Sequence, residues 1–373
     1  MIRLSKSVIG DKEANAVTRV LLEDGYLGMG AEVSKFENEI AGYLGVSSDN
    51  VVCVNTGTSA LHLAVEAIGG KGQEVLVPSL TFVASYQAIS AAGAIPVSCD
   101  IYEDTLSIDL EDAAKRITQK TIAIMAVHYA SNPAYIEELY KFAKKYNLRV
   151  IEDAAHAFGC SFKGAKIGSF GDVICFSFDG IKNITSGEGG AIVTNDSKVL
   201  AIVKDARLLS IEKDSDKRYA DQRSWDFDVK KQGYRYHMSN IFAAIGRVQL
   251  SRFDNEFAPK RIALLKRYKE LLLSNNDIVF QNHEEHTFIV PHILSIRILR
   301  NKRDSLKHEL EKLNIPVGIH WKPNHLLSYY KTDYILPVTE KIYEEILTLP
   351  LHPEIKISDV DNICKSIINY LKK

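Results

Sequence analysis

The sequence predicts an α/β fold: a large domain over residues 1–250 with a mostly parallel sheet, and a small C-terminal α/β domain over 251–373. Three observations predict it. Between residue 51 and about residue 152, short apolar runs alternate with amphipathic helical segments, the order expected when helices cover both faces of a parallel sheet. The length of 373 residues suits one large domain joined to a smaller one. Past residue 205 the alternation breaks, and short strands and helices resume near residue 275.

Each element follows from its local pattern. Residues 11–22 (DKEANAVTRVLL) and 31–44 (AEVSKFENEIAGYL) carry apolar positions at helical spacing and flank a glycine-rich turn at Gly25–Gly30. Val51–Val54 reads as a short strand that runs through Asn55-Thr56-Gly57-Thr58-Ser59 into the helical ALHLAVEAI. Strands at 74–78, 95–99, 121–127 and 148–152 alternate with helices from about Ser85, near 109–116 and at 134–145. Two more strands, Val173–Phe178 and Gly190–Val193, stand too close for a crossover helix, so they predict an antiparallel excursion. Residues 212–236 are polar, charged and aromatic without a period, as functional or interfacial segments often are. Helices follow at 239–252 and 257–274, then a strand region in FIVPHILSIRI and helices at 302–313 and 359–372.

Composition narrows the function. Hydrophobic residues make up 46% and charged residues 25%, with a formal net charge of −1, so a sizeable core can form and no basic stripe for nucleic acid is expected. The cluster Lys141–Lys145 reads as the solvated face of a helix. The five cysteines, Cys53, Cys99, Cys160, Cys175 and Cys364, are odd in number and lack CxxC spacing. They read as buried free thiols in a reducing compartment, with no metal site. The amino terminus lacks a long apolar region, and no apolar run approaches the ~18 residues needed to cross a bilayer. The expectation is a cytoplasmic protein.

Three segments carry chemistry. Thr56-Gly57-Thr58-Ser59 joins a strand to a helix, where small residues, hydroxyls and a helix amino terminus suit an anion; alone, it is also an ordinary N-cap. Asp153 ends a buried strand in Ile151-Glu152-Asp153-Ala154-Ala155-His156, where open α/β sheets place ligands; alone, it could cap the next helix. Lys182 sits in the glycine-rich connection Ser177 to Gly190 between two apolar strands. Most lysines are surface residues, but one held in a pocket loses solvation and becomes a nucleophilic amine. Together the segments offer a phosphate cradle (Gly57, Thr58, Ser177), an acid for a pyridine nitrogen (Asp153) and an amine for an aldehyde (Lys182). That set suits pyridoxal 5'-phosphate (PLP). A nicotinamide reading fails because no GxGxxG follows the first strand.

Over nearly its whole length the chain resembles the DegT/DnrJ/EryC1/StrS family of sugar aminotransferases, PLP enzymes of fold type I. The resemblance rests on DGYLGMGAEVSKFE, NTGTSALHLA, PSLTFVASYQAI, VIEDAAHAFG, FSFDGIKNITSGEGGAIVTND, YRYHMSNIFAAIGRVQL, HWKPNHLLSYY and LPLHP. It implies a seven-stranded sheet and a homodimer with two shared active sites. It implies that Lys182 forms the imine with the cofactor and then shuttles a proton, and that Asp153 pairs with the pyridinium. Phe82 would stack on the ring, or else be a core aromatic. His156 would stand near the phenolic oxygen, and Gly57, Thr58 and Ser177 would hold the phosphate.

Two positions depart from the family pattern. Asp179 stands three residues before the lysine, where many members have His or Tyr; an acid there could bind a sugar hydroxyl or repel a nucleotide phosphate. Arg235, in Gly233-Tyr234-Arg235-Tyr236-His237-Met238, stands where many members have an Asn that reaches the neighbour's cofactor phosphate. It could do the same as a charged donor, or form a surface or interface ion pair. His320 and His325 are candidates for the sugar or nucleotide, or for packing at a domain junction.

The implied reaction moves an amino group from an L-amino acid, with glutamate as donor, to a nucleotide-linked keto sugar such as a 4-keto-6-deoxyhexose. The product would supply amino sugars for lipopolysaccharide O-antigen, other surface polysaccharide or a glycosylated metabolite. Two alternatives stand beside it: a PLP-dependent dehydratase or lyase on a nucleotide sugar, and a non-catalytic PLP-binding regulator. The family's dehydratase branch has His in place of the lysine, and no DNA-binding helix-turn-helix is visible, so Lys182 favours the transaminase.

Overall fold

In the computed structural model, which describes residues 2–372 except 221 and 224, the apolar runs become the strands of one sheet. These are β1 (Val51–Val54), β2 (Glu74–Pro78), β3 (Ile95–Cys99), β4 (Thr121–Val127), β5 (Arg149–Asp153), β6 (Val173–Ser177) and β7 (Gly190–Thr194). The sheet is seven-stranded in the order β1-β7-β6-β5-β4-β2-β3. The pairs β2–β3, β2–β4, β4–β5 and β5–β6 are parallel. Only β7 runs against its neighbours β1 and β6. The connection from β6 to β7 contains no crossover helix, so the chain must turn back. That turn carries Lys182.

Alternation along the strands feeds two cores. In β1, Val51 and Cys53 pack with Phe36, Ile40, Phe158 and Phe253, whereas Val52 and Val54 face the other side with Leu61, Ala64, Ile89 and Val203. A sheet buried on both faces explains why these strands read as continuous apolar runs. All five cysteines are free and buried.

A second core forms around an antiparallel sheet of β8 (Ile278–Phe280), β9 (Leu294–Ile298) and β10 (Ile346–Leu349), with β9 in the centre. The helices Ala258–Leu272 and Ile357–Leu371 pack on each other and contribute Leu264, Tyr268, Ile363 and Ile367 to this core. Ala258 belongs to the first core and Leu264 to the second, so the changeover runs along one helix. Ile2 packs on the second core although it opens the chain, and Leu351 N donates to Leu4 O. Residues 1 and 373, the outer limits of the two expected domains, lie outside the described residues.

Several local expectations need correction. FIVPHILSIRI is not one strand. Phe288 pairs with Ser161 in a separate three-stranded sheet, and β9 begins only at Leu294. Pro291 between them has no N–H to give a ladder. The segment 212–236 contains a short helix, Asp214–Tyr219, although 221 and 224 lie outside the described residues. The helix at 239–252 is Asn240–Arg252, and a wider turn, Phe253–Phe257, leads without a break into Ala258–Leu272. Helices Ser197–Ala206 and Pro337–Glu345 went unread. No helix among the described residues is long and apolar enough to cross a membrane.

Candidate active site

The carboxyl ends of β1, β5 and β6 converge on a cavity of about 360 Å³, the place where open α/β sheets bind ligands. Gly57, Thr58, Phe82, Asp153, His156, Ser177, Asp179, Lys182 and His320 all line it. Thr56, Glu188 and Trp321 complete three of its walls.

One end is built for an anion. The helix Gly57–Ala67 starts where β1 stops, and Thr56 caps it by accepting from Ser59 N at 3.0 Å. The first N–H groups of the helix and the hydroxyls of Thr58 and Ser177 border the same space. Gly57 is required there for its size. A Cβ on it would lie 2.7 Å from Ser177 Cβ and 3.0 Å from Ser177 Oγ. The backbones approach so closely that a side chain would fill the cradle.

The opposite pole is a buried carboxyl. Asp153 ends β5, and its Oδ2 accepts from Ser85 Oγ at 2.7 Å while Oδ1 accepts from Ala155 N at 3.2 Å. Burial raises its pKa, against the lowering effect of these two donors and of Lys182. A carboxyl in that condition suits a cationic partner such as a protonated ring nitrogen.

Lys182 faces the same cavity. Burial pulls its ammonium down to about 8, although Asp153 and Asp179 pull the other way. Its Nζ lies 3.4 Å from His292 Nε2. His156 is buried and pushed well below the usual imidazole range by burial first and Lys182 second, and its Nδ1 has no hydrogen-bond partner. An unpartnered ring nitrogen on the cavity wall fits a cofactor oxygen. Phe82 is 52% exposed and presents an apolar ring at the wall, 5.6 Å from the Trp321 ring. An orphaned nitrogen, a cradle that a Cβ would fill, a desolvated amine and a buried acid together match PLP.

The rim carries two carboxylates. Asp179 and Glu188 both line the cavity, and the pKa of Glu188 is raised by burial and by Asp179. His320 is held by Thr348 Oγ1 at 2.9 Å, and burial lowers it to about 4, so it faces the cavity as a neutral ring.

Two expected residues do not line this cavity. His325 sits behind it, with Nδ1 2.7 Å from Ser79 Oγ and Nε2 3.1 Å from Glu340. Its neighbour Asn324 donates to the carbonyls of Ser79 and Thr81, so this pair braces the loop that presents Phe82. Arg235 is exposed, in a bridge with Leu208, and is not among the residues that line its own chain's cavity.

The sequence profile of the DegT/DnrJ/EryC1/StrS aminotransferase family matches residues 8–368. The chain belongs to this family. An uncharacterised protein of Methanocaldococcus jannaschii is 36% identical to this family member over 98% of the present chain and 95% of its own. The dTDP-4-dehydro-2,3,6-trideoxy-D-glucose 4-aminotransferase of Saccharopolyspora spinosa is 31% identical over 97% and 95%. Among solved structures, a Streptococcus pneumoniae chain assigned as a sugar aminotransferase, in its PLP-form, superposes with a TM-score of 0.89 at 28% identity. It covers 98% of this chain and 97% of its own. A PMP-form of the same protein is also known. The fold is thus that of the family's aminotransferases.

Sequence reasoning missed Ser85, Glu188, His292 and Trp321. A signal existed for Ser85: a buried acid needs donors, and hydroxyls at 81 and 85 flank Phe82 one helical turn apart. Trp321 is one of only two tryptophans and follows His320 directly. For His292, more than a hundred residues from Lys182, no local signal exists.

Proposed function

We propose that this aminotransferase uses PLP to move an amino group from glutamate to a keto sugar carried on a nucleoside diphosphate. A 4-keto-6-deoxyhexose is the favoured acceptor class. One observation carries the reading: a desolvated amine at Lys182 and a buried acid at Asp153 share a cavity whose far end is a helix amino terminus. The substrate class is supported by the relative from Saccharopolyspora spinosa, which acts on a dTDP-linked 4-dehydro sugar.

When bound, PLP supplies an electron sink for the carbon that loses a proton. The chain's residues do the rest. Asp153 would pair with the ring nitrogen and keep it protonated. Gly57, Thr58 and Ser177 would hold the phosphate, Phe82 would cover a ring face, and His156 Nδ1 would meet the phenolic oxygen. Lys182 Nζ would hold the aldehyde carbon and, once released, carry a proton at the substrate carbon, a role open to an amine near neutrality. Asp179, Glu188 and His320 would meet the sugar. His325 would act behind them, holding the Phe82 loop. Arg235 would reach the phosphate of a second copy in a homodimer, and the enzyme would work in the cytoplasm on amino-sugar supply.

The test is two half-reactions in sequence. Glutamate added to the PLP-loaded protein should bleach the visible cofactor band and release 2-oxoglutarate one for one. One member of a panel of dTDP- and UDP-linked 4-keto sugars should then restore the band. No 2-oxoglutarate from glutamate would remove the donor assignment, and restoration by the free keto sugar at the same rate would remove the nucleotide.

A further inference from the structure

His292 is absent from the roles above, yet it is the side chain bonded to the reactive amine. Its Nε2 lies 3.4 Å from Lys182 Nζ, and its ring lies 4.5 Å from that of His156. The residue is 3% exposed. Its backbone is fixed on both sides: His292 N donates to Ser131 Oγ at 2.8 Å, and the buried Arg261 donates to the carbonyls of Pro291 and His292. Asn183, next to Lys182, donates to Val290 O at 3.0 Å. The segment 290–294 therefore ties the lysine turn to the first strand of the second core that follows it.

The ring's other nitrogen decides the direction of the bond. His292 Nδ1 is buried without a partner. Burial, then Lys182, His156, Arg261 and His320, all hold the imidazole well below its usual range, so it is neutral and carries one proton. A buried unpaired N–H is rarer in folded proteins than an under-satisfied acceptor. The proton therefore belongs on Nε2, which leaves Nδ1 as the unpaired acceptor. Nε2–H then points at the lone pair that Lys182 Nζ carries when the amine is neutral, the form that attacks an aldehyde.

We propose that His292 is a positioning residue for Lys182: its Nε2–H donates to the amine in its neutral form, which favours that form over the ammonium and aims it into the cavity. A donor to the neutral form disfavours protonation. Of the titratable groups around the amine, Asp153 and Asp179 favour the ammonium, and the rings of His156 and His320 are neutral. A donor at His292 counters the two acids.

The inference rests on Lys182 being the PLP-binding amine, and the test separates the two. Cofactor-free wild type, His292→Leu and His292→Gln are mixed with PLP between pH 6 and 10, and the rise of the visible band is followed by stopped flow. In parallel, acetylation of Lys182 in the cofactor-free proteins is measured against pH by peptide mass spectrometry. Leucine keeps the site dry without a donor; glutamine restores an N–H. The Leu variant should capture PLP roughly tenfold more slowly at neutral pH, with the acetylation midpoint about one unit higher. The Gln variant should return most of both. If Leu and Gln behave alike, whether both slow or both like wild type, the hydrogen bond is not the cause and the inference fails. If wild type forms no band with PLP, the reading of Lys182 itself fails.

Discussion

Lys182 is a destabilising residue until its amine is used. A buried amine with a pKa near 8 binds fewer protons than the same group in the unfolded chain, where it titrates near 10.5. Stability therefore rises with pH between those two values, and below about 8 the whole penalty is present. Lys182→Met removes it. At pH 7 the cofactor-free variant should be more stable than cofactor-free wild type by on the order of 3 kcal/mol. The gap in melting temperature should close as pH approaches 10.5, which a calorimetric series would show. Equal melting temperatures at pH 7 would mean that the amine is solvated. Asp153 presents the same tension with opposite charge: burial raises its pKa, and the Ser85 hydroxyl, the Ala155 N–H, Lys182 and His128 offset that only in part. The two strained groups share one cavity, and a single ligand with an aldehyde and a basic ring nitrogen relieves both.

At the scale of elements, the junction of β1 with the helix Gly57–Ala67 sets the anion end of the site. Gly57→Ala leaves the Thr56 cap in place but drives a Cβ against Ser177. Overpacking of this kind costs about 1–3 kcal/mol, so the dissociation constant for PLP should rise roughly fivefold to 150-fold. Fluorescence titration would measure it, with circular dichroism showing an unchanged helix; unaltered affinity would move the phosphate elsewhere. This junction was legible because strand, small residues and helix follow one another in the sequence. The β6–β7 turn was legible for the same reason, since two apolar strands enclose too few residues for a crossover. What was not legible depends on distant chain segments. Trp321 reaches the cavity, and His292 reaches Lys182, from the part of the chain that builds the second core, and no periodicity connects them to Lys182. The split of FIVPHILSIRI at Pro291 also hid in composition, because an apolar run does not say which of two sheets each half will join. His325 misled in the opposite way: its neighbours match the family, but its ring faces Ser79 and Glu340 behind the loop.

At the scale of the whole molecule, the cavity walls hold three acids, Asp153, Asp179 and Glu188, against one amine, Lys182. Asp179 and Glu188 border the cavity, and burial together with Asp179 already raises Glu188. Arg235 is exposed on the stretch that follows an apolar surface of Leu209, Trp225, Phe227 and Val229, all exposed. Trp225, Phe227 and Val229 fall within one short stretch, and exposed apolar residues grouped this way suit an association surface. A second copy that covered this surface would bring its Arg235 to the phosphate end of the neighbouring cavity, so each site would need Lys182 from one chain and Arg235 from the other. The consequence is complementation. Lys182→Ala should be inactive and Arg235→Ala should lose PLP readily. When the two are dissociated, mixed in equal amounts and allowed to reassociate, half of the dimers are mixed and each holds one site with both residues intact. About a quarter of all sites should then recover wild-type turnover and PLP retention, as expected for a two-fold symmetric pair. If Arg235 serves its own chain or only the surface, mixing would return no more than the average of the two variants measured apart.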